Sequence, residues 1–273
     1  MKIFDLHLHA MGKPENPKEL KQRLENSGIY GALVMSNKPD RYSAELGSTF
    51  NDRLNETLTY ANAYPDRFFP VLWIHPYEDD IINKIHIAVE KGVVAFKIIC
   101  NDFFIYEDHC LKVLQEIADL NKPVIFHTGI LWDGQPTSEY SRPINFEAML
   151  KVKNLRFSMG HCSWPWVDEC LAMYGKFQSA RLFGCTSEMF LDLTPGTPEI
   201  YRKDLFYKIF NIGYDVKDNL MFGSDCVADD YNVDYAKSII STDTKILTEL
   251  GIEKETQQKL FSTNIMRFLG LDK

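Results

Sequence analysis

Hydrophobic positions along the chain follow two alternating periods. Short apolar, β-branched runs bounded by turn residues predict eight strands: Ile3 to His9, Gly31 to Ser36, Phe68 to His75, Val93 to Cys100, Pro123 to Thr128, Leu155 to Cys162, Met189 to Leu193 and Leu220 to Cys226. Between them the period lengthens to that of a helix. Over Tyr106 to Leu120, for example, Leu111, Leu114, Ile117 and Ala118 recur at three- and four-residue spacing, and Asp79 to Lys91 reads the same way. Each strand is nearly continuously apolar, as a parallel strand covered by helices must be. The alternation predicts an α/β fold, a (β/α)8 TIM barrel forming one domain over residues 1–273. A doubly wound open sheet is the alternative, but no Gly-x-Gly-x-x-Gly follows the first strand. The longest irregular pieces, Asn37 to Ser48, Gly129 to Pro143 and Ala228 to Asn232, follow strands and are expected over the barrel mouth.

Composition narrows the function classes. With 273 residues, 45% hydrophobic and 25% charged, the chain can bury a large core. A net charge of -8 argues against nucleic acid as the partner, which favours a small-molecule substrate. No apolar stretch approaches membrane-spanning length, and the first strand starts too close to Met1 to leave room for a signal peptide, so no membrane partner and a cytoplasmic location are expected. The six cysteines lack C-x-x-C spacing and are read as reduced and buried. The helical outer face of such a barrel is compatible with a homodimer.

The candidate chemistry lies at strand ends. In Asp5-Leu6-His7-Leu8-His9, strict alternation would put Asp5, His7 and His9 on one face, and two imidazoles so placed can grip one transition-metal ion. Strand five ends in Phe126-His127-Thr128, strand six in Gly160-His161-Cys162 and strand eight in Phe222-Gly223-Ser224-Asp225-Cys226. A lone histidine or aspartate at a strand end is more often a satisfied core or capping group than a ligand. Four histidines and one carboxylate at the strand ends of one barrel are hard to explain structurally, because those ends converge on one mouth.

With these residues in place, the chain resembles the amidohydrolase superfamily, whose pattern is His-x-His on strand one, His on strands five and six, and Asp on strand eight. Phe222-Gly223-Ser224-Asp225 and the closing Ser262 to Leu271 stretch are similar to the amidohydrolase-related (amidohydrolase 2) branch, which includes aminocarboxymuconate semialdehyde decarboxylase and pyrone dicarboxylate lactonase. The resemblance implies that His7, His9, His127 and Asp225 ligate one divalent metal, zinc first, with manganese, cobalt or iron as substitutes. It also implies that His161 polarises the substrate or moves its proton, and that Asp225 takes or relays a proton from a metal-activated water. Asp5 would orient a ligand or the barrel floor. The expected reaction is hydrolysis of a small molecule, with non-oxidative decarboxylation of a small unsaturated or aromatic acid as the alternative.

Several residues stay open at this level. Lys97 ends strand four and is a carbamylated metal bridge, a free ammonium for a substrate carboxylate, or a rim lysine. Arg142 and Arg181 are the other candidate cations, and His75 and Trp164 are candidate substrate contacts. Cys162 and Cys226 flank proposed catalytic residues and should point away, while His86 and His109 fall on helices and outside the site. A TatD-like phosphoesterase would place a glutamate where Lys97 stands, and polymerase-histidinol-phosphatase barrels use more ligands. A catalytically inactive binding barrel should have lost a ligand, and none is missing. A metal-free enzyme like the lactonase is a further alternative.

Overall fold

The computed structural model describes residues 1–12, 16–43 and 45–271, so Ala44 of the Asn37 to Ser48 loop lies outside the described residues. Nine parallel strands, β1 (Ile3–His9), β2 (Ile29–Met35), β3 (Phe68–Trp73), β4 (Ala95–Ile98), β5 (Val124–Phe126), β6 (Arg156–Met159), β7 (Glu188–Asp192), β8 (Leu220–Met221) and β9 (Cys226–Val227), form one sheet. Its order is β8-β7-β6-β5-β4-β3-β2-β1-β9, and the wrap-around of β9 onto β1 closes the predicted (β/α) barrel. The outer layer holds α1 (Pro17–Ser27), α2 (Phe50–Ala63), α3 (Ile81–Glu90), α4 (Asp108–Asp119), α5 (Val167–Ala180), α6 (Glu199–Asn211), α7 (Val233–Glu249), α8 (Lys254–Gln258) and α9 (Asn264–Leu269). After β5 the covering segment, Pro143–Lys151, is a 3-10 helix rather than an α-helix.

Two apolar layers account for the stability of this arrangement. Leu33, Met35, Val71, Ala95, Ile125, Phe190 and Met221 project into the barrel, and Ile265, Phe268 and Leu269 of α9 pack against them from below. The opposite strand faces, with Val34, Leu72, Phe96, Phe126 and Leu191 among them, pack outward against the helices. Among the described residues no helix is long and apolar enough to cross a membrane.

Two strands depart from simple alternation, and both departures shape the mouth. In β1 the register against β2 slips between Asp5 and Leu8, so Asp5 faces Ala32 whereas Leu8 faces Val34. Phe4 and Leu6 consequently join the barrel interior while Leu8 joins the outer layer. This corrects the expectation that Asp5, His7 and His9 share one face: the bulge turns the two histidines into the barrel and leaves Asp5 on the other side. The predicted strand Leu220 to Cys226 is divided in two, because Asp225 adopts a left-handed φ of 61°. The barrel still closes across the break, through Leu6 N–H to the Phe222 carbonyl at 3.0 Å and Asp225 N–H to the His7 carbonyl at 3.0 Å.

Candidate active site

At the C-terminal ends of the strands lies a cavity of about 680 Å³. Its floor holds His7, His9, Lys97, His127, His161 and Asp225. The His9 Nε2 sits 3.4 Å from Asp225 Oδ1, and the His7 Nε2 3.7 Å from the same oxygen. One donor atom from each of His7, His9 and Asp225 lies within 4.8 Å of the other two, which is the spacing of a shared cation site. Burial alone would push the Asp225 carboxyl up, but the His9 hydrogen bond and the His7 and His161 rings hold it below the ordinary carboxylate range. Burial and the nearby Lys97 cation keep His7 well below the usual histidine value, so its imidazole is neutral and suited to ligation.

Neighbouring strands fix these groups. Asp5 accepts from the Ser224 hydroxyl at 2.5 Å, the Ser224 N–H at 2.9 Å and the His7 N–H at 3.0 Å. It thereby joins β1 to the broken strand eight just before Asp225. Gly223 is required there by close approach, since a Cβ would lie 2.9 Å from the His7 Cβ and would collide with the Thr194 hydroxyl. His7 Nδ1 donates to Asp192 Oδ2 at 2.9 Å, and Lys97 Nζ lies 3.2 Å from its other ring nitrogen. Lys97 is fully buried, and that burial lowers its ammonium to about 8.

His161 lies past the end of β6, in a turn where His161, Cys162 and Ser163 have φ values of 57°, 43° and 58°. Three consecutive non-glycine residues in the left-handed region cost on the order of 1–2 kcal/mol each, and such strain concentrates at functional sites. The turn is pinned by Ser163 donating to Thr128 Oγ1 at 2.8 Å and Thr128 donating to the Gly160 carbonyl at 2.7 Å. The His161 Nδ1 is buried with no hydrogen-bond partner, while its ring packs 5.0 Å from that of His127 and 5.3 Å from that of His7. His127 Nε2 lies 3.2 Å from the Ile130 carbonyl, which only accepts, so that nitrogen carries the proton and Nδ1 keeps the free lone pair. Burial and His161 lower the His127 pKa well below its usual value.

The structure thus brings His7, His9, Asp225, His127, His161, Lys97 and Trp164 to one cavity, and places His75 elsewhere. The His75 ring donates through Nε2 to Asp102 at 2.8 Å and accepts the Tyr77 N–H at 3.1 Å, so both nitrogens are engaged away from the mouth. Arg142 and Arg181 also lie off the cavity, paired with Glu169 and Glu188. Cys162 and Cys226 are buried and do not line it, and His86 and His109 contact Glu116 and the Pro76 carbonyl. Sequence reasoning missed Asp192, the cavity-wall Trp73, and Lys38 and Tyr42 from the loop after β2. A carboxylate ending the apolar run of β7 was the available signal for Asp192; the loop of Lys38 and Tyr42 was expected over the mouth, but nothing singled out those two residues within it.

The fold and this floor define a (β/α)8 barrel with an imidazole and carboxylate cluster at its mouth. The sequence profile of the amidohydrolase family matches residues 4–271, and the chain belongs to that family. Among solved structures it is similar to 2,6-dihydroxybenzoate decarboxylase from Rhizobium, at 15% identity and a TM-score of 0.66 over 100% of both chains. It is also similar to an amidohydrolase from Burkholderia multivorans with bound zinc, at 11% identity, a TM-score of 0.66 and 100% coverage of both chains. Dihydroorotase from Campylobacter jejuni aligns at 16% identity and a TM-score of 0.65 over 100% of this chain and 84% of its own. A curated ferrochelatase from Yersinia enterocolitica is 31% identical over 128 residues, and the chain spans only 38% of its length.

Proposed function

We propose that the chain is a metal-dependent hydrolase of a small molecule. The observation that carries this reading is the cluster of His7, His9 and Asp225, with donor atoms within 4.8 Å at the floor of the cavity. The donor set fits a borderline divalent ion: two imidazoles and one ionised carboxylate suit zinc first and manganese, cobalt or iron next, with His127, the candidate fourth ligand, lining the same cavity. The chemistry a divalent ion supplies in such a set is Lewis acidity toward water and toward a substrate oxygen.

The chain's own groups divide the remaining work. Asp225, held ionised, accepts a proton at its oxygen. His161 lines the cavity floor, and its ring there holds or delivers a proton to the reacting group. Trp73, Trp132 and Trp164 wall the cavity above this floor and exclude water from a flat or apolar substrate body.

Decarboxylation of a small acid is the second reading, favoured by the two lysines, Lys38 and Lys97, that line the cavity at rim and floor. Metal analysis of the purified protein beside a His7→Ala/His9→Ala variant tests the common premise. About one equivalent per chain, lost in the variant, supports it; about two equivalents point to Lys97 as a bridge; none after supplementation overturns it. Esters, lactones and amides are then screened against aromatic acids. Carbon dioxide release from the acids alone would favour decarboxylation, and metal retention without any turnover would favour a binding barrel.

A further inference from the structure

We infer that Asp192 is a positioning residue that sets the tautomer of His7, and that Thr194 sets the polarity of Asp192. Asp192 ends β7, is fully buried and does not line the cavity. Its Oδ2 lies 2.9 Å from His7 Nδ1. Its Oδ1 accepts both the Thr194 N–H, at 2.8 Å, and the Thr194 hydroxyl. A carboxylate has only acceptors, so the proton on the His7 ring must sit on Nδ1. On the opposite edge Lys97 Nζ, a donor, stands 3.2 Å from Nε2. Both neighbours match the same tautomer, whose bare Nε2 faces Lys97 and lies 3.7 Å from Asp225 Oδ1.

The role of Thr194 makes this testable with an isosteric change. In Asp192→Asn the two Thr194 donors require the amide carbonyl at the Oδ1 position, which puts the amide NH2 at the Oδ2 position, facing His7 Nδ1. Two donors cannot face each other, so Nδ1 must accept and the proton moves to Nε2, which Lys97 Nζ then faces as a neutral amine with its lone pair. Gly223 belongs to the same device, since any side chain there would displace the Thr194 hydroxyl. The consequence for metal uptake rests on the proposed function, whereas the tautomer does not.

The experiment is nitrogen-15 NMR of the imidazoles in the metal-free protein, with the His7 signals identified by their loss in His7→Gln. In the unaltered chain His7 is expected with Nδ1 protonated and Nε2 bare, and in Asp192→Asn with the two exchanged. Zinc titration of the same samples is expected to show affinity falling about 10- to 100-fold in the variant. A His7 that carries its proton on Nε2 in the unaltered chain overturns the inference without recourse to any variant. A tautomer unmoved by Asp192→Asn in a variant with native circular dichroism overturns it too. If the tautomers exchange as expected while neither protein takes zinc, the positioning role stands and the metal reading falls.

Discussion

Arg202 on α6 and Asp243 on α7 form a buried bidentate pair, with Nε to Oδ1 at 2.8 Å and Nη2 to Oδ2 at 2.7 Å. Burial pushes the Asp243 carboxyl up even against the adjacent guanidinium, and Arg202 Nη1 is buried without a partner. Desolvation therefore offsets most of the attraction, and the pair should matter less for its own energy than for what remains when half of it is removed. Asp243→Asn leaves a buried guanidinium without a counter-charge and should destabilise the protein by about 3–5 kcal/mol. Arg202→Met/Asp243→Leu removes both charges from the same space and should lie within about 1 kcal/mol of the parent, on either side. Urea unfolding followed by far-UV circular dichroism reads both, provided the slope with denaturant is unchanged. For a chain of this size the single variant should also melt about 10 °C lower. The reasoning fails if Asp243→Asn costs less than about 1 kcal/mol, which would mean that water reaches the guanidinium. It fails equally if the double variant loses as much as the single, because the ion pair would then be net stabilising.

Other sites give further expectations. Glu56 accepts the Gly12 N–H at 2.7 Å and the Asn37 N–H at 2.6 Å, so Glu56→Gln should cost about 1–3 kcal/mol and speed hydrogen exchange at both amides. A Cβ at Gly196 would lie 2.7 Å from the His161 Cβ, so Gly196→Ala should lose about 1–3 kcal/mol in a urea titration and shift the His161 ring signals. Lys97 releases its proton at about 8 in the folded chain against 10.5 in an unperturbed lysine. Between those values an unfolded Lys97 binds the proton that the folded one has released, so Lys97 contributes a stability that grows with pH across that window, read as the difference in pH profile between the parent and Lys97→Met.

The barrel was legible because each strand had to be apolar on both faces, as the run from Val93 to Cys100 is, and because no Gly-x-Gly-x-x-Gly follows the first strand to favour the doubly wound alternative. What alternation could not give was its own interruptions. The β1 bulge that separates Asp5 from His7 and His9, and the left-handed Asp225 that divides strand eight, are set by the neighbours each strand meets on closing the barrel. His75 was expected at the mouth from its strand-end position, yet β3 stops at Trp73 and the next turn hands the ring to Asp102. The cations went astray for a related reason: Arg142 and Arg181 are satisfied by nearby glutamates, while Lys38 is brought to the cavity by a loop that Glu56 anchors through Asn37. The ligand types themselves were readable, because histidine and aspartate at the ends of buried strands have few apolar explanations.

The seam between β1 and strand eight has a consequence for synthesis. Asp5 and Ser224 meet across 219 residues of sequence, and the two histidines leave the ribosome long before the carboxylate they face. Ile265 and Phe268, which plug the barrel from below, emerge later still. Folding of so non-local a closure is governed by the arrival of the last segments rather than the first. A chain ended before residue 225 thus carries its imidazoles without their acid, and one ended before α9 lacks the apolar residues that fill the barrel from below.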